Sequence, residues 1–203
     1  MRLGIFGGSF DPIHIGHLVA AQVALEEANL DRIVFIPAGQ NPLKVGRAIT
    51  AGAHRLKMVE LAIRSHPQFA VSDWELHRPG PSYTVDTLEH ICREYPEAEL
   101  FFLIGADNLK LLPKWKAVDR IVELATILAV TRPGFDLHLG AETVLALYPN
   151  LAERIRYIEI PGLDISSTWI RERLVKNRTV EHLLPAEVIG YSKENKLYER
   201  SAD

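Results

Sequence analysis

Residues suited to chemistry gather near the start of the chain, in the stretch GGSFDPIHIGH that runs from Gly7 to His17. Adjacent glycines let a backbone turn sharply and let a ligand approach it closely. Asp11-Pro12 reads as a helix start, a capping residue followed by the proline that a first turn tolerates. A helix N-terminus offers unbonded N–H groups and a partial positive charge, and both suit phosphate. His14 and His17 lie three apart, so the spacing puts them on one face of the first turns. There two imidazoles can donate N–H bonds to phosphate oxygens. A lone histidine in a glycine-rich turn is usually structural. Two histidines, two glycines and a helix start in so short a stretch favour a phosphate site instead. The dinucleotide fingerprint is absent because GIFGGS has the wrong glycine spacing, and no Gly-Lys-Ser/Thr closes a phosphate loop. A metal pair on the two histidines has no evident further ligand nearby.

A second cluster lies far along the chain. Ser166, Ser167 and Thr168 open a helix, with Arg171 one turn inside. Hydroxyls at a helix start are often caps and nothing more. Three in succession, with an arginine at i+3 from the last, also make an anion cradle. Lys44 sits on a loop that carries Gly39, Pro42 and Gly46. In RPGPSYTVDTLEHI a loop runs into a helix at Thr84 to Asp86, so N–H groups near Tyr83 and Thr84 are candidates for another anion. Gly105 to Asp107 leaves an apolar run, and Asp107 there reads either as a helix cap or as a ligand contact. Trp115 stands between Lys114 and Lys116 after a proline, an odd setting for a core tryptophan. A flat aromatic beside positive charge suits an electron-poor ring bearing a carboxylate.

These residues need a frame to position them. Apolar runs of strand length recur as RLGIF, RIVFIP, FAVSD, ELFFLIG, TILAVT and RIRYIEIP. Segments with helical spacing lie between them: Leu18, Ala21, Leu25 and Ala28 form one stripe, Leu56, Val59 and Ile63 another, and Leu88, Ile91 and Tyr95 a third. Continuous apolar strands separated by helices imply an α/β fold, a doubly wound and mainly parallel sheet covered on both faces. After about residue 164 the strands give way to two successive helices, SSTWIRERLVKN and EHLLPAEVIGYSKEN. With no linker or repeat, residues 1–203 read as a single domain that includes this helical end. In such sheets ligands bind beyond the carboxyl ends of the strands. The chemistry-bearing residues all fall at those junctions.

Composition narrows the function classes. The formal net charge of -3 gives no sign of a nucleic-acid-binding surface, so any phosphate site is local. The one cysteine, Cys92, excludes a disulfide framework. Hydrophobic residues make up 47% of the chain, ordinary for a packed core, and no apolar run approaches the ~20 residues of a membrane span. The start carries no export signal. The expectation is a cytoplasmic protein with no membrane partner, and self-association is left open.

GGSFDPIHIGH resembles the signature of the nucleotidyltransferase superfamily, whose H-x-G-H element matches His14-Ile15-Gly16-His17. The resemblance continues through GPSYTVDTL, FFLIGADNL, KWK, TRPG and ISSTWIRERL, which follow the order of the bacterial nicotinate-nucleotide adenylyltransferases. It implies a Rossmann-like nucleotidyltransferase fold and transfer of the adenylyl group of ATP to nicotinate mononucleotide. It also implies that Mg²⁺ accompanies ATP, held by the substrate, with no metal site of the protein's own. Carried over by position, His14, His17, Lys44 and Arg171 act on the reacting phosphates. Gly7, Gly8, Ser9, Phe10, Gly16, Gly105, Ser166, Ser167 and Thr168 line the ATP site. Ser9, Lys44, Tyr83, Thr84, Asp107, Trp115, Lys116 and Arg132 hold the mononucleotide. Two positions depart from the pattern of some members: Leu43 replaces a further histidine, and Lys116 a second aromatic. The rivals are a sibling transferase with another acceptor, a nucleotide-sensing module without turnover, and a synthetase for which the chain lacks room.

Overall fold

In the computed structural model, residues 1–40, 49–131 and 149–199 are described. Six strands form one sheet: β1 (Arg2–Gly8), β2 (Arg32–Pro37), β3 (Phe69–Val71), β4 (Glu99–Gly105), β5 (Ala125–Thr131) and β6 (Ile155–Glu159). Their order is β3-β2-β1-β4-β5-β6, and every neighbouring pair is parallel. This is the doubly wound arrangement expected from the strand pattern, with its order reversing between β1 and β4.

Side chains alternate across a strand, so each strand feeds two layers. Ile33 and Phe35 of β2, with Phe101 and Leu103 of β4, enter one buried cluster, while Val34, Ile36, Leu100, Phe102 and Ile104 enter the other. The first cluster is closed by α1 (Ile15–Glu27) and α2 (Gly52–Ile63). The helices α5 (Ser167–Val175) and α6 (Ala186–Glu194) add Ile170 and Val188 to the same cluster. The helical end of the chain is thus packed into the sheet's own core. The opposite cluster is closed by α3 (Thr84–Glu94) and α4 (Val118–Leu124) through Val85, Leu88, Ile91 and Ile121.

Two local readings need correction. Asp11-Pro12 does not start α1: that peptide bond is cis, and the helix begins at Ile15 with His14 as its N-cap. The buried stripe of α2 is Arg55, Met58, Val59, Ala62 and Ile63, so Leu56 lies at its edge. A charged residue therefore occupies a core position. No helix among the described residues is long and apolar enough to cross a membrane.

Candidate active site

The sheet opens where its order reverses. The β1–β2 pairing continues to Gly8 and Pro37, and the β4–β5 pairing to Gly105 and Val130, whereas β1–β4 pairing ends at Ile5 and Phe102. The last residues of β1 and β4 thus run on without pairing to each other. Their splay makes a crevice beyond the carboxyl edge, the position at which doubly wound sheets bind ligands.

The loop from Gly8 to His14 forms one wall. Phe10 takes the left-handed region with φ 46, and its ring is only 1% exposed. A Cβ on Gly8 would lie 2.9 Å from that ring, so the position demands glycine. The Phe10 ring meets Phe6 edge-on at 5.5 Å and His17 edge-on at 5.1 Å. Phe10 therefore packs against the His17 imidazole, with its side chain committed to the core.

His14 and His17 stack with ring centroids 3.7 Å apart. The backbone N–H of His14 donates to His17 Nδ1 at 3.2 Å, as in a capping box. A ring nitrogen that accepts such a bond carries no proton, so the His17 proton belongs on Nε2. A Cβ on Gly16 would come within 3.1 Å of the His14 ring, which explains the small residue between the histidines.

The second motif docks directly onto this loop. Ser167 Oγ donates to the carbonyl of Pro12 at 2.9 Å, and Arg171 Nη1 donates to the carbonyl of Asp11 at 2.6 Å. Ser166 is the N-cap of α5, accepting from the Trp169 N–H at 3.2 Å, and Thr168 Oγ1 accepts from Arg171 Nη2 at 3.2 Å. The three hydroxyls thus have structural partners: one caps the helix, one fastens it to the loop, and one braces Arg171. Gly16, Ser166, Ser167, Thr168 and Arg171 are brought beside the histidines.

The far side of the crevice starts at α3. Tyr83 is its N-cap without a side-chain cap bond, and its carbonyl accepts from the N–H groups of Asp86 and Thr87, which leaves those of Thr84 and Val85 ahead of the first intrahelical bond. Trp115 ends a 3₁₀ stretch, Ala106–Lys114, that follows β4. Its ring is half-buried, edge-on to Phe102 at 6.0 Å, and its buried Nε1 has no partner among the described residues. The Trp115 ring is thus partly a core side chain, contrary to the reading of its flanking lysines. Phe102 also lies 3.7 Å from where a Gly7 Cβ would be, which links this side to the end of β1. Lys116 Nζ lies 3.1 Å from Asp86 Oδ1 and 4.7 Å from the centre of the Tyr83 ring. Asp86 also takes Arg78 at 3.1 Å. Burial pushes the Asp86 carboxyl up, but the hydrogen bonds from Lys116 and Arg78 outweigh it and leave the pKa below its ordinary value. Gly105 ends β4, and Asp107 is exposed in the first turn beyond it. Lys44 and Arg132 lie outside the described residues.

Two supporting residues were missed by the sequence reading. Arg55 is 2% exposed and spreads its guanidinium over three carbonyls, from Nε to Thr50, Nη1 to Ser9 and Nη2 to Ala38, each at 2.8 Å. Burial pulls its pKa below the usual arginine value, against Asp11, Tyr198 and Glu75. Asp11 is also buried, accepting from the Tyr198 hydroxyl at 2.6 Å and the Thr50 N–H at 3.3 Å. Arg55 could have been found as a charge on the apolar stripe of a helix that follows a ligand-facing loop. Nothing local distinguishes Asp11 from an ordinary cap.

The cytidylyltransferase-like family model matches residues 5–173 of this chain. A probable nicotinate-nucleotide adenylyltransferase of Thermomicrobium roseum is 46% identical over 197 residues, 97% of this chain and 91% of the relative. One from Desulfitobacterium hafniense is 42% identical, covering 97% and 95%. Among solved structures, the Plasmodium falciparum nicotinic acid mononucleotide adenylyltransferase complexed with NaAD superposes with a TM-score of 0.76 over 97% of both chains. At 22% identity, that likeness speaks for the fold.

Proposed function

The chain belongs to the cytidylyltransferase-like family, among its nicotinate-nucleotide adenylyltransferases, and from that premise we propose that it transfers the adenylyl group of ATP to nicotinate mononucleotide. The products are nicotinate adenine dinucleotide and pyrophosphate, and the step belongs to NAD biosynthesis. One observation of the site carries the reading. The two anion-directed motifs, about 150 residues apart in the chain, meet through the bonds of Ser167 to Pro12 and Arg171 to Asp11 beside the stacked histidines.

The acceptor phosphate attacks the α-phosphorus of ATP, and the bond to the bridging β-phosphate oxygen breaks. A phosphomonoester has a second pKa of about 6, so the nucleophile is already deprotonated and needs no general base. The difficulty is to bring two anions together and to support the charge gathering on pyrophosphate. Catalysis is then positioning and electrostatic stabilisation. His17, protonated on Nε2, and His14 donate to phosphate oxygens. Arg171 and Lys44 neutralise the leaving group. The backbone of Gly7 to Phe10, with Gly16, Gly105 and Ser166 to Thr168, frames ATP. The N–H groups near Tyr83 and Thr84 receive the nicotinate carboxylate, and Trp115 lies against the pyridine ring, with Ser9, Asp107, Lys116 and Arg132 around the rest of the mononucleotide.

Mg²⁺ accompanying ATP would be held by the substrate and would supply positive charge against the triphosphate. Among the described residues no group of three carboxylate, imidazole or thiolate side chains is placed to hold it, and the Asp11 carboxylate is already taken by Tyr198 and Thr50. A substrate-borne ion fits that donor set. A reaction drawing on ATP fits a cytoplasmic setting, and we read the chain as one catalytic unit, its helical end included.

The test is pyrophosphate release with ATP and either the acid or the amide mononucleotide. A site that bonds the carboxylate leaves buried donors unmatched by the neutral amide, at about 1–3 kcal/mol, so kcat/KM should favour the acid roughly tenfold or more. Equal efficiency on the two would refute the nicotinate assignment. Absence of pyrophosphate with both would refute the transferase reading.

A further inference from the structure

The segment that follows α6 reaches the loop between β1 and α1. After α6, Lys196 adopts a left-handed φ of 51, and the Leu197 N–H returns to the Ser192 carbonyl at 2.8 Å, ending the helix as a Schellman motif does. That turn directs Tyr198 toward the loop before α1. Tyr198 itself is held at φ 65, a costly conformation for an aromatic residue that persists only when its surroundings fix it. Its hydroxyl donates to Asp11 Oδ1 at 2.6 Å and lies 3.9 Å from Met58 Sδ. Thr50 closes the arrangement, its N–H donating to Asp11 Oδ2 at 3.3 Å. Asp11 in turn meets Arg171 twice, through its carbonyl at 2.6 Å and through Oδ2 at 3.9 Å.

We propose that Tyr198 is a positioning residue for the adenylyl transfer: by fixing the Asp11 carboxylate it sets where Arg171 stands for the triphosphate. The proposal rests on the assignment of Arg171 to ATP. The contacts run in series, from Tyr198 to residue 11 and from residue 11 to residue 171. Burial, and then the bond to Asp11, hold the Tyr198 pKa above its ordinary value, so the hydroxyl remains a donor throughout the working pH range. Without that donor, Asp11 Oδ1 loses its 2.6 Å partner, and the loop segment gripping Arg171 can relax.

Tyr198→Phe tests this, because it removes the hydroxyl and keeps the ring in place against the core. Steady-state constants for both substrates, with the Kd of a non-hydrolysable ATP analogue measured below the melting transition, keep the answer independent of stability. The expected result is an ATP KM and analogue Kd raised about three- to tenfold, the size at which residues in one hydrogen-bond network couple, with the mononucleotide KM unchanged. In an Arg171→Ala background the same substitution should add nothing. An unchanged ATP constant in Tyr198→Phe, while Arg171→Ala raises it, would overturn the role of Tyr198 alone. An equal, additive effect in the Arg171→Ala background would also overturn it, as a loss independent of Arg171. An unchanged ATP constant in Arg171→Ala would overturn the Arg171 assignment and the proposal with it.

Discussion

Replacing Arg55 with methionine should damage both stability and turnover, although Arg55 touches neither substrate in the proposed arrangement. Each guanidinium nitrogen holds one carbonyl, those of Thr50, Ser9 and Ala38. These three belong to the turn before α2, the loop after β1 and the loop after β2. Methionine fills much of the same volume and supplies no donor. A hydrogen bond from a charged group contributes about 1.5–3 kcal/mol, and a buried acceptor left unmatched costs about 1–3 kcal/mol. Water entering the loops recovers part of this, and arginine's own desolvation is relieved, so the net loss should be about 3–6 kcal/mol. Set against a typical total of 5–15 kcal/mol, that is a large fraction. Melting should fall by on the order of 10 °C for a chain of this size.

Urea titration with the slope held common measures the loss, and pyrophosphate release below the new melting point measures turnover. Arg55→Lys makes a useful partner, because a lysine can reach one or two of the carbonyls but cannot span three with a planar fork. It should fall between methionine and wild type. A methionine variant within about 1 kcal/mol of wild type, with unchanged kinetics, would refute the view that this buried cation holds the loops together.

His17→Ala should lower kcat at least about tenfold, equivalent to ~1.4 kcal/mol of barrier, with the fold retained by circular dichroism. Unchanged turnover in a folded variant would remove this ring from the mechanism. Trp115→Ala should weaken acid and amide mononucleotides alike, since stacking does not read the carboxylate, and should leave the ATP KM nearly alone. A defect confined to ATP would reject the stacking role. Asp86→Asn should raise the mononucleotide KM by loosening Lys116 beside Trp115, measured against an unchanged ATP KM. Because the folded-state pKa of Asp86 lies below its unfolded value, its ionic stabilisation is present at neutral pH and lost as pH falls through the folded-state pKa. Wild type and Asp86→Asn should therefore converge in denaturant midpoint below about pH 4, and a gap that widens there would contradict the sign.

The sequence made legible those features whose cause is local. Strand runs, most of the helical stripes and a helix start between Thr84 and Asp86 follow from side-chain periodicity and turn chemistry, and their junctions located the crevice. Residues whose roles depend on distant partners were not legible. Phe10 sits among glycines and looks like loop, yet its ring fills the space beneath His17. Asp11 before proline looks like a cap, yet the cap of α1 is His14, and the Asp11 carboxylate meets Tyr198, far away in sequence. The hydroxyls of Ser166 and Ser167 look like an anion cradle, and their bonds show that they first build the helix start and its attachment. Arg55 carried a signal, a charge on an apolar stripe, but its three acceptors are backbone atoms that no residue type announces.

That division follows from the kind of chemistry proposed. An attack by an oxygen already ionised needs no base, so little of the barrier can be removed by proton transfer, and most must be removed by holding charged groups in place. Donors held in place need rigid loops, and loops at a sheet edge lack the ladder bonds that stiffen strands. In this chain those loop carbonyls are held by side chains outside the opening motif, one of them the buried Arg55. Arg55 ties the carbonyl of Ser9, Ser167 ties that of Pro12, and Arg171 ties that of Asp11. The carbonyls of the loop between β1 and α1 are thus held by α2 on one side and α5 on the other. In the proposed reaction the histidine motif supplies the donors, and side chains from α2 and α5 hold the loop on which they stand.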